Sequence, residues 1–151
     1  VGVISFYSGQ IQSIFKAMEN SKVGLTVGNN IAENYRIIST GKNIGDERLR
    51  IGTVDAFQGK DFDVVFVSLV RTLPKNFNVD GLDDREKDET LTRAYGFLRV
   101  DNRLNVALSR QRSLLIVTGD KELVEHSATQ EAVPALPALL KLCRGQHGKI
   151  F

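Results

Sequence analysis

Three short polar clusters in this 151-residue chain hold residue types suited to phosphate and ribose chemistry. The first is Ser5-Phe6-Tyr7-Ser8-Gly9-Gln10, the second runs from Thr53 through Gln58, Gly59 and Lys60 to Asp61, and the third is Asn105 to Arg112. The middle cluster joins hydroxyl and amide donors to a glycine that permits close backbone approach and to a carboxylate. A carboxylate repels phosphate, so its natural partner is a ribose hydroxyl. The third cluster sets Arg110 and Arg112 at the end of a helical stretch, and an arginine carries a planar fork of donors that fits a phosphoryl group. Taken singly, each cluster has a plainer reading. Arg110 and Arg112 could be surface residues that complement a helix dipole. Asp55 could be an N-cap, Lys60 a solvated lysine, and Tyr7 and Phe57 core or rim aromatics. His126 and His147 are isolated and form no metal-ligand pattern.

Residues of these kinds need a scaffold that presents them. Val1–Ser5, Arg50–Val54, Asp63–Val70 and Leu114–Val117 are β-rich runs, the last two almost wholly apolar, as expected of strands buried within a sheet. Helical spacing separates them: Ile11, Ile14, Phe15 and Met18; then Leu104, Ala107 and Leu108; then Leu136, Leu139, Leu140 and Cys143, with Pro137 near the start and Gly145 past the end. Buried strands alternating with helices predict an α/β fold with a parallel, doubly wound sheet. In such sheets ligands gather beyond the carboxyl ends of the strands, and all three clusters are expected there, converging at one edge. Two stretches fit poorly and read as insertions, at about 21–49 and about 73–95. The acidic run Gly81–Thr90 in the second reads as a solvated, mobile loop.

Composition bounds the rest. The chain is 42% hydrophobic and 25% charged, ordinary for a globular domain, and a net charge of +2 means that any nucleic-acid surface must be a local patch. A lone cysteine, Cys143, excludes an internal disulfide and predicts an intracellular, cytoplasmic setting. No apolar run could span a bilayer, which excludes a membrane role. With no initiator methionine, the chain reads as one domain, 1–151, of something longer.

In their order along the chain, the clusters resemble a known family. Val54–Thr72 (VDAFQGKDFDVVFVSLVRT) resembles motif V, and Gly96–Arg112 (GFLRVDNRLNVALSRQR) the run into motif VI, of superfamily-one helicases of the nonsense-mediated-decay type. Ile4–Gln10 (ISFYSGQ) is similar to their motif IV. The match covers most of the chain outside the two insertions. It departs at Phe6, where proline is usual, at Asp61, where glutamate is usual, and at Gln111, where alanine is usual.

The resemblance implies the second RecA-like domain: a parallel sheet sandwiched by helices, a P-loop NTPase-like fold without its own phosphate loop. It implies Arg110 as the catalytic arginine finger on the γ-phosphate of ATP. It further implies Gln58, Gly59, Asp61, Arg110 and Arg112 on the nucleotide, and Ser5, Tyr7, Thr53 and Lys60 on single-stranded DNA or RNA. No metal ligand is implied in this chain. No GxxxxGK[ST] loop is present, so ATP with Mg2+ is expected to sit mainly on a first RecA-like domain of the same protein. The isolated chain is then inactive, and the whole protein is an ATP-dependent helicase moving 5′ to 3′ along one strand. One alternative is a catalytically silent RecA-like module that binds nucleic acid or protein. Another is an unrelated nucleotide-binding α/β domain, which the lack of a GxGxxG after a strand opposes.

Overall fold

A computed structural model describes residues 1–21, 23–39, 41, 42 and 44–151. In chain order the elements are β1 (Gly2–Ser5), α1 (Ser8–Glu19), β2 (Thr26–Val27), β3 (Asn30–Ile31), α2 (Glu33–Arg36), β4 (Arg50–Thr53), a 3-10 turn over Val54–Phe57, and β5 (Phe62–Ser68). There follow α3 (Asp84–Tyr95), a 3-10 turn over Gly96–Arg99, α4 (Asp101–Leu108), β6 (Gln111–Thr118), α5 (Lys121–Glu125), α6 (Ser127–Ala132) and α7 (Ala135–Cys143). The chain forms two compact units, residues 1–70 with 105–118, and residues 71–104 with 119–151. No helix among the described residues is long and apolar enough to cross a membrane.

The first unit is a four-stranded, all-parallel sheet in the order β4-β1-β5-β6. Parallel strands need crossover connections. α1 supplies one of these, and its Phe15 is buried while Ile11, Ile14 and Met18 are half-buried. Ile4, Val65 and Val67 form the centre of the sheet, each at most 1% exposed. Phe57 is fully buried and meets Phe62 edge-on at 5.6 Å between ring centroids. Gly2 makes room for this pair, since a Cβ there would lie 2.8 Å from Phe57 and 3.1 Å from Phe62. The parallel sheet with its helices is the predicted α/β, RecA-like architecture.

Four expectations change. β5 is not covered on both faces: Val65 and Val67 are buried, but Asp63 and Phe66 are exposed. β6 is not a buried strand, since among the described residues it has a neighbour on one side only and Leu114 is 49% exposed. In the first insertion, where Val23–Val27 and Tyr35–Ser39 read as β-rich pieces, Thr26–Val27 is indeed a strand, paired in a hairpin with β3, but Tyr35 lies in the single turn of α2. Lys22 and Thr40, within or beside those pieces, lie outside the described residues.

The fourth concerns the acidic run, which is folded. It opens α3, where the Asp83 carboxylate caps the helix by accepting from the Glu86 amide at 2.8 Å. Asp84 and Glu86 sit in the positive first turn, and Arg85 meets Glu89 one turn on at 3.1 Å. Charge placed this way favours a helix over a loop, and the buried Leu91 and Tyr95 anchor it. In the second unit α3 packs on α6, and α5 and α6 pack on α7. The Thr129 hydroxyl donates to the Leu123 carbonyl, which leaves it accepting from the Tyr95 hydroxyl at 2.7 Å. Two buried polar groups are thereby satisfied at once.

The contact at Gly2 yields a direct expectation. Gly2→Ala should destabilise the fold by about 1–3 kcal/mol through overpacking against Phe57 and Phe62, seen as a lower urea midpoint with an unchanged slope. A midpoint equal to that of the unaltered protein would show that the aromatic pair does not confine this position.

Candidate functional site

The three clusters do not converge at one edge of the sheet, as the sequence reading expected; they divide between its two ends. Ser5 closes β1 and Thr53 closes β4, so both lie at the carboxyl end. Asp61 immediately precedes β5 and Arg110 immediately precedes β6, so both lie at the amino end. The segment from Thr53 to Asp61 crosses between the ends, because in a parallel sheet each connection must return the chain to where the next strand starts.

At the carboxyl end the pairing register aligns Thr53 with Ser5, Ser5 with Ser68, and Ser68 with Thr118. In-register partners in a parallel sheet share a face, so four hydroxyls form one row across all four strands. The Gln10 amide donates to the Ser68 hydroxyl at 3.4 Å. Ser5 itself is fully buried, and its hydroxyl donates to the Ser68 carbonyl at 3.3 Å. The phosphate contact expected of Ser5 is therefore not open to its side chain, because the sheet encloses it; Ser5 supports the row from within. Thr53 and Ser68 are half-buried and Thr118 is exposed. Tyr7 is half-buried, and its carbonyl accepts from the amides of Gln10 and Ile11 as α1 begins. The first turn of α1 holds no acidic residue and no side chain caps it, which leaves its amide groups positive toward an anion. Phe6, where the resembling helicases have proline, is 4% exposed and belongs to the core.

At the amino end Arg110 is partly enclosed and held at three points. Its Nε donates to the Val106 carbonyl at 3.1 Å, its Nη2 to the Ser109 hydroxyl at 2.8 Å, and its Nη1 lies 3.3 Å from Asp61 Oδ1. The guanidinium is neither locked in the core nor extended into solvent, as its side chain is 21% exposed. Two residues expected on one nucleotide thus neutralise each other. Arg112 lies 3.7 Å from Asp63 in a more open pair. The backbone secures the juxtaposition, because the Phe62 amide donates to the Arg110 carbonyl at 2.9 Å.

Gln58, Gly59 and Lys60 form the exposed loop leading to Asp61. Gly59 has φ +72° with open space where a Cβ would go, so it is required for its backbone conformation and not for a tight fit. Asp55 lies inside the 3-10 turn, and the cap position falls to Thr53, which makes no side-chain cap bond. The N-cap reading of Asp55 therefore does not hold.

The loop borders an open cleft of about 550 Å3 lined in part by Ile38, Ser39, Glu47, Lys60, Asp61 and Arg112. Burial pushes the Glu47 carboxyl up, but hydrogen bonds and charge from Arg50 and Lys60 outweigh it and hold the group below its ordinary value. Among the described residues no three His, Cys, Asp or Glu side chains are grouped to hold a metal ion.

Sequence reading missed Ser68 and Thr118, whose only signal is a hydroxyl at the end of an apolar run. It also missed Glu47 and Arg50, which lie outside every cluster.

Comparison with known proteins supplies a family. The AAA domain family profile matches residues 1–122. The chain is 31% identical over 120 residues to the "Putative helicase mov-10-B.2" of Danio rerio, covering 80% of this chain and 9% of that protein. It is 32% identical over 129 residues to the "DNA polymerase alpha-associated DNA helicase A" of Saccharomyces cerevisiae, covering 80% of this chain and 16% of that protein. It is 32% identical over 127 residues to a "Regulator of nonsense transcripts 1 homolog" of Neurospora crassa, covering 83% of this chain and 8% of that protein. This chain therefore spans less than a fifth of each of these relatives. With motifs V and VI at Val54–Thr72 and Gly96–Arg112, the chain belongs to the AAA domain family and to its superfamily-one helicases of the nonsense-mediated-decay type.

Proposed function

We propose that this chain is the second motor domain of an ATP-dependent helicase that translocates on single-stranded DNA or RNA. The observation that carries the reading is the Arg110–Asp61 pair at the amino end of the sheet, with Asp61 on a segment whose other end bears Thr53. A guanidinium fits a phosphoryl group and a carboxylate fits a ribose hydroxyl. A nucleotide supplies both at once, and so exchanges one internal pair for two external ones. Gln58, Gly59 and Arg112 border the same loop and strand starts and complete the nucleotide face. Tyr7, Thr53 and the α1 N-terminus form the nucleic-acid face, where hydroxyl and amide donors grip phosphates without reading sequence. Lys60 lies with the nucleotide residues and 3.5 Å from Glu47, so its role moves from strand contact to nucleotide contact.

ATP brings its Mg2+, and both sit mainly on a first RecA-like domain elsewhere in the longer protein. When bound, the ion neutralises phosphate charge. What this chain adds is Arg110, which leaves Asp61 to stabilise the charge that develops at the γ-phosphate. The crossing segment carries Gln58–Asp61 of the nucleotide face and Thr53 of the strand face on one support, held by the buried Phe57.

Two measurements test this in the full-length protein. Arg110→Ala should lower ATPase turnover by about a thousandfold or more while ATP and nucleic-acid binding hold within a few-fold; undiminished turnover would refute the finger. Asp61→Ala should raise KM for ATP by about tenfold and leave KM for 2′,3′-dideoxy-ATP nearly unchanged. An equal response to both nucleotides would remove Asp61 from the ribose.

A further inference from the structure

We infer that Glu47, in the segment joining the sheet's first helix to β4, is a positioning residue for the nucleotide loop Gln58–Asp61, acting through Arg50 and Lys60. The inference rests on the reading above and adds a residue that none of the motifs contains.

Glu47 is itself held in place. It forms an isolated antiparallel bridge with Ile37, flanked by hydrogen bonds from the Ile38 amide to the Asp46 carbonyl at 2.9 Å and from the Arg48 amide to the Arg36 carbonyl at 2.8 Å. Arg48 adds a further anchor, its guanidinium 5.0 Å over the Tyr35 ring and its Nη1 donating to the Asn34 carbonyl at 3.1 Å.

From this base the Glu47 carboxylate takes Arg50 in a fork. Arg50 Nε lies 3.1 Å from Oε1 and 3.0 Å from Oε2, and Nη2 lies 2.6 Å from Oε1. Both side chains are only 28% exposed. A two-pronged, partly enclosed pair of this kind fixes geometry where a single exposed ion pair would not. The remaining Arg50 nitrogen, Nη1, donates to the Ala56 carbonyl at 2.8 Å. Ala56 lies in the 3-10 turn that delivers Gln58, and that turn has no side-chain cap of its own. The second oxygen of Glu47 lies 3.5 Å from Lys60 Nζ, beyond Gly59. Glu47 therefore reaches the loop on both sides of its glycine hinge, through Ala56 before it and Lys60 after it.

The loop needs such a brace because Gly59 is the residue least able to hold one conformation unaided. A loop that wanders by about an ångström misplaces Asp61 and releases its hold on Arg110, and errors of that size are costly at a binding site.

The test compares Glu47→Ala, Arg50→Ala and the double variant in full-length protein, with ATP as the probe. Expected are a rise of about tenfold in KM for ATP in each single variant, kcat within twofold, and a double variant no worse than Glu47→Ala alone, since Arg50 acts in series with Glu47. Should Glu47→Ala fold poorly, Glu47→Gln keeps the shape, removes the charge that holds Lys60 and Arg50, and should raise KM in the same direction. A lowered melting temperature with KM unchanged would overturn the inference, because a merely structural role gives that result; so would a fall in KM, or additive effects in the double variant. If Arg110→Ala loses turnover while the Glu47 variants bind ATP normally, the brace fails and the motor reading stands. If Arg110→Ala keeps full turnover, the motor reading fails first.

Discussion

The burial of Phe57 is the constraint on which the arrangement of this site depends. The chain leaves β4 at one end of the sheet and must re-enter at the other end to begin β5. Phe57, fully enclosed beside Phe62 and beneath Gly2, fastens that return path to the core. Removing so large a ring from water contributes about 1.5–3 kcal/mol. More to the point, it fixes the path of the segment. Thr53 on one side of the ring and Gln58–Asp61 on the other are then fixed relative to the same core. Polar groups at opposite ends of the sheet share a single mechanical support.

Electrostatics at the amino end follow from that path. Asp61 and Arg110 come together because β5 and β6 are neighbours and the first residue of β5, Phe62, is hydrogen-bonded to Arg110, not because the two are close in sequence. With Glu47, Arg50 and Lys60 a few residues away, acidic and basic groups alternate around the loop. Each charge has a partner of opposite sign, which keeps a cluster of ionised groups tolerable at a half-exposed surface. On the proposed nucleotide reading, a phosphorylated ligand would compete with Asp61 for Arg110 and a ribose with Arg110 for Asp61.

The second unit shows that charge density is a poor guide to disorder. The run from Gly81 to Thr90 contains enough Asp, Glu, Lys and Arg to look solvated throughout. Yet Asp83 caps, the first turn is acidic, and Leu91 and Tyr95 follow on the buried side. The acidic Asp84 and Glu86 sit where the helix dipole favours them, and the apolar residues that anchor the helix lie past the end of the acidic run. Tyr95, Thr129 and the Leu123 carbonyl then form a buried hydrogen-bonded chain that joins three helical segments of this unit.

By itself the sequence determined the parallel α/β class, the strands near Val1–Ser5, Arg50–Val54 and Asp63–Val70, the helices carrying Phe15, Leu104 and Leu136, and the family, because periodicity and contiguous motifs are local signals. Tertiary structure alone decided which end of the sheet each motif occupies, since a motif that crosses the sheet reads as one unbroken string. It decided that Ser5 is enclosed while Thr53, Ser68 and Thr118 in the same row are not, and that β6 has an open side. It brought Glu47 to Arg50 and Lys60 from outside every motif. Register, strand order and ion pairing between distant residues arise from packing across the sheet, and no spacing along the chain encodes them directly.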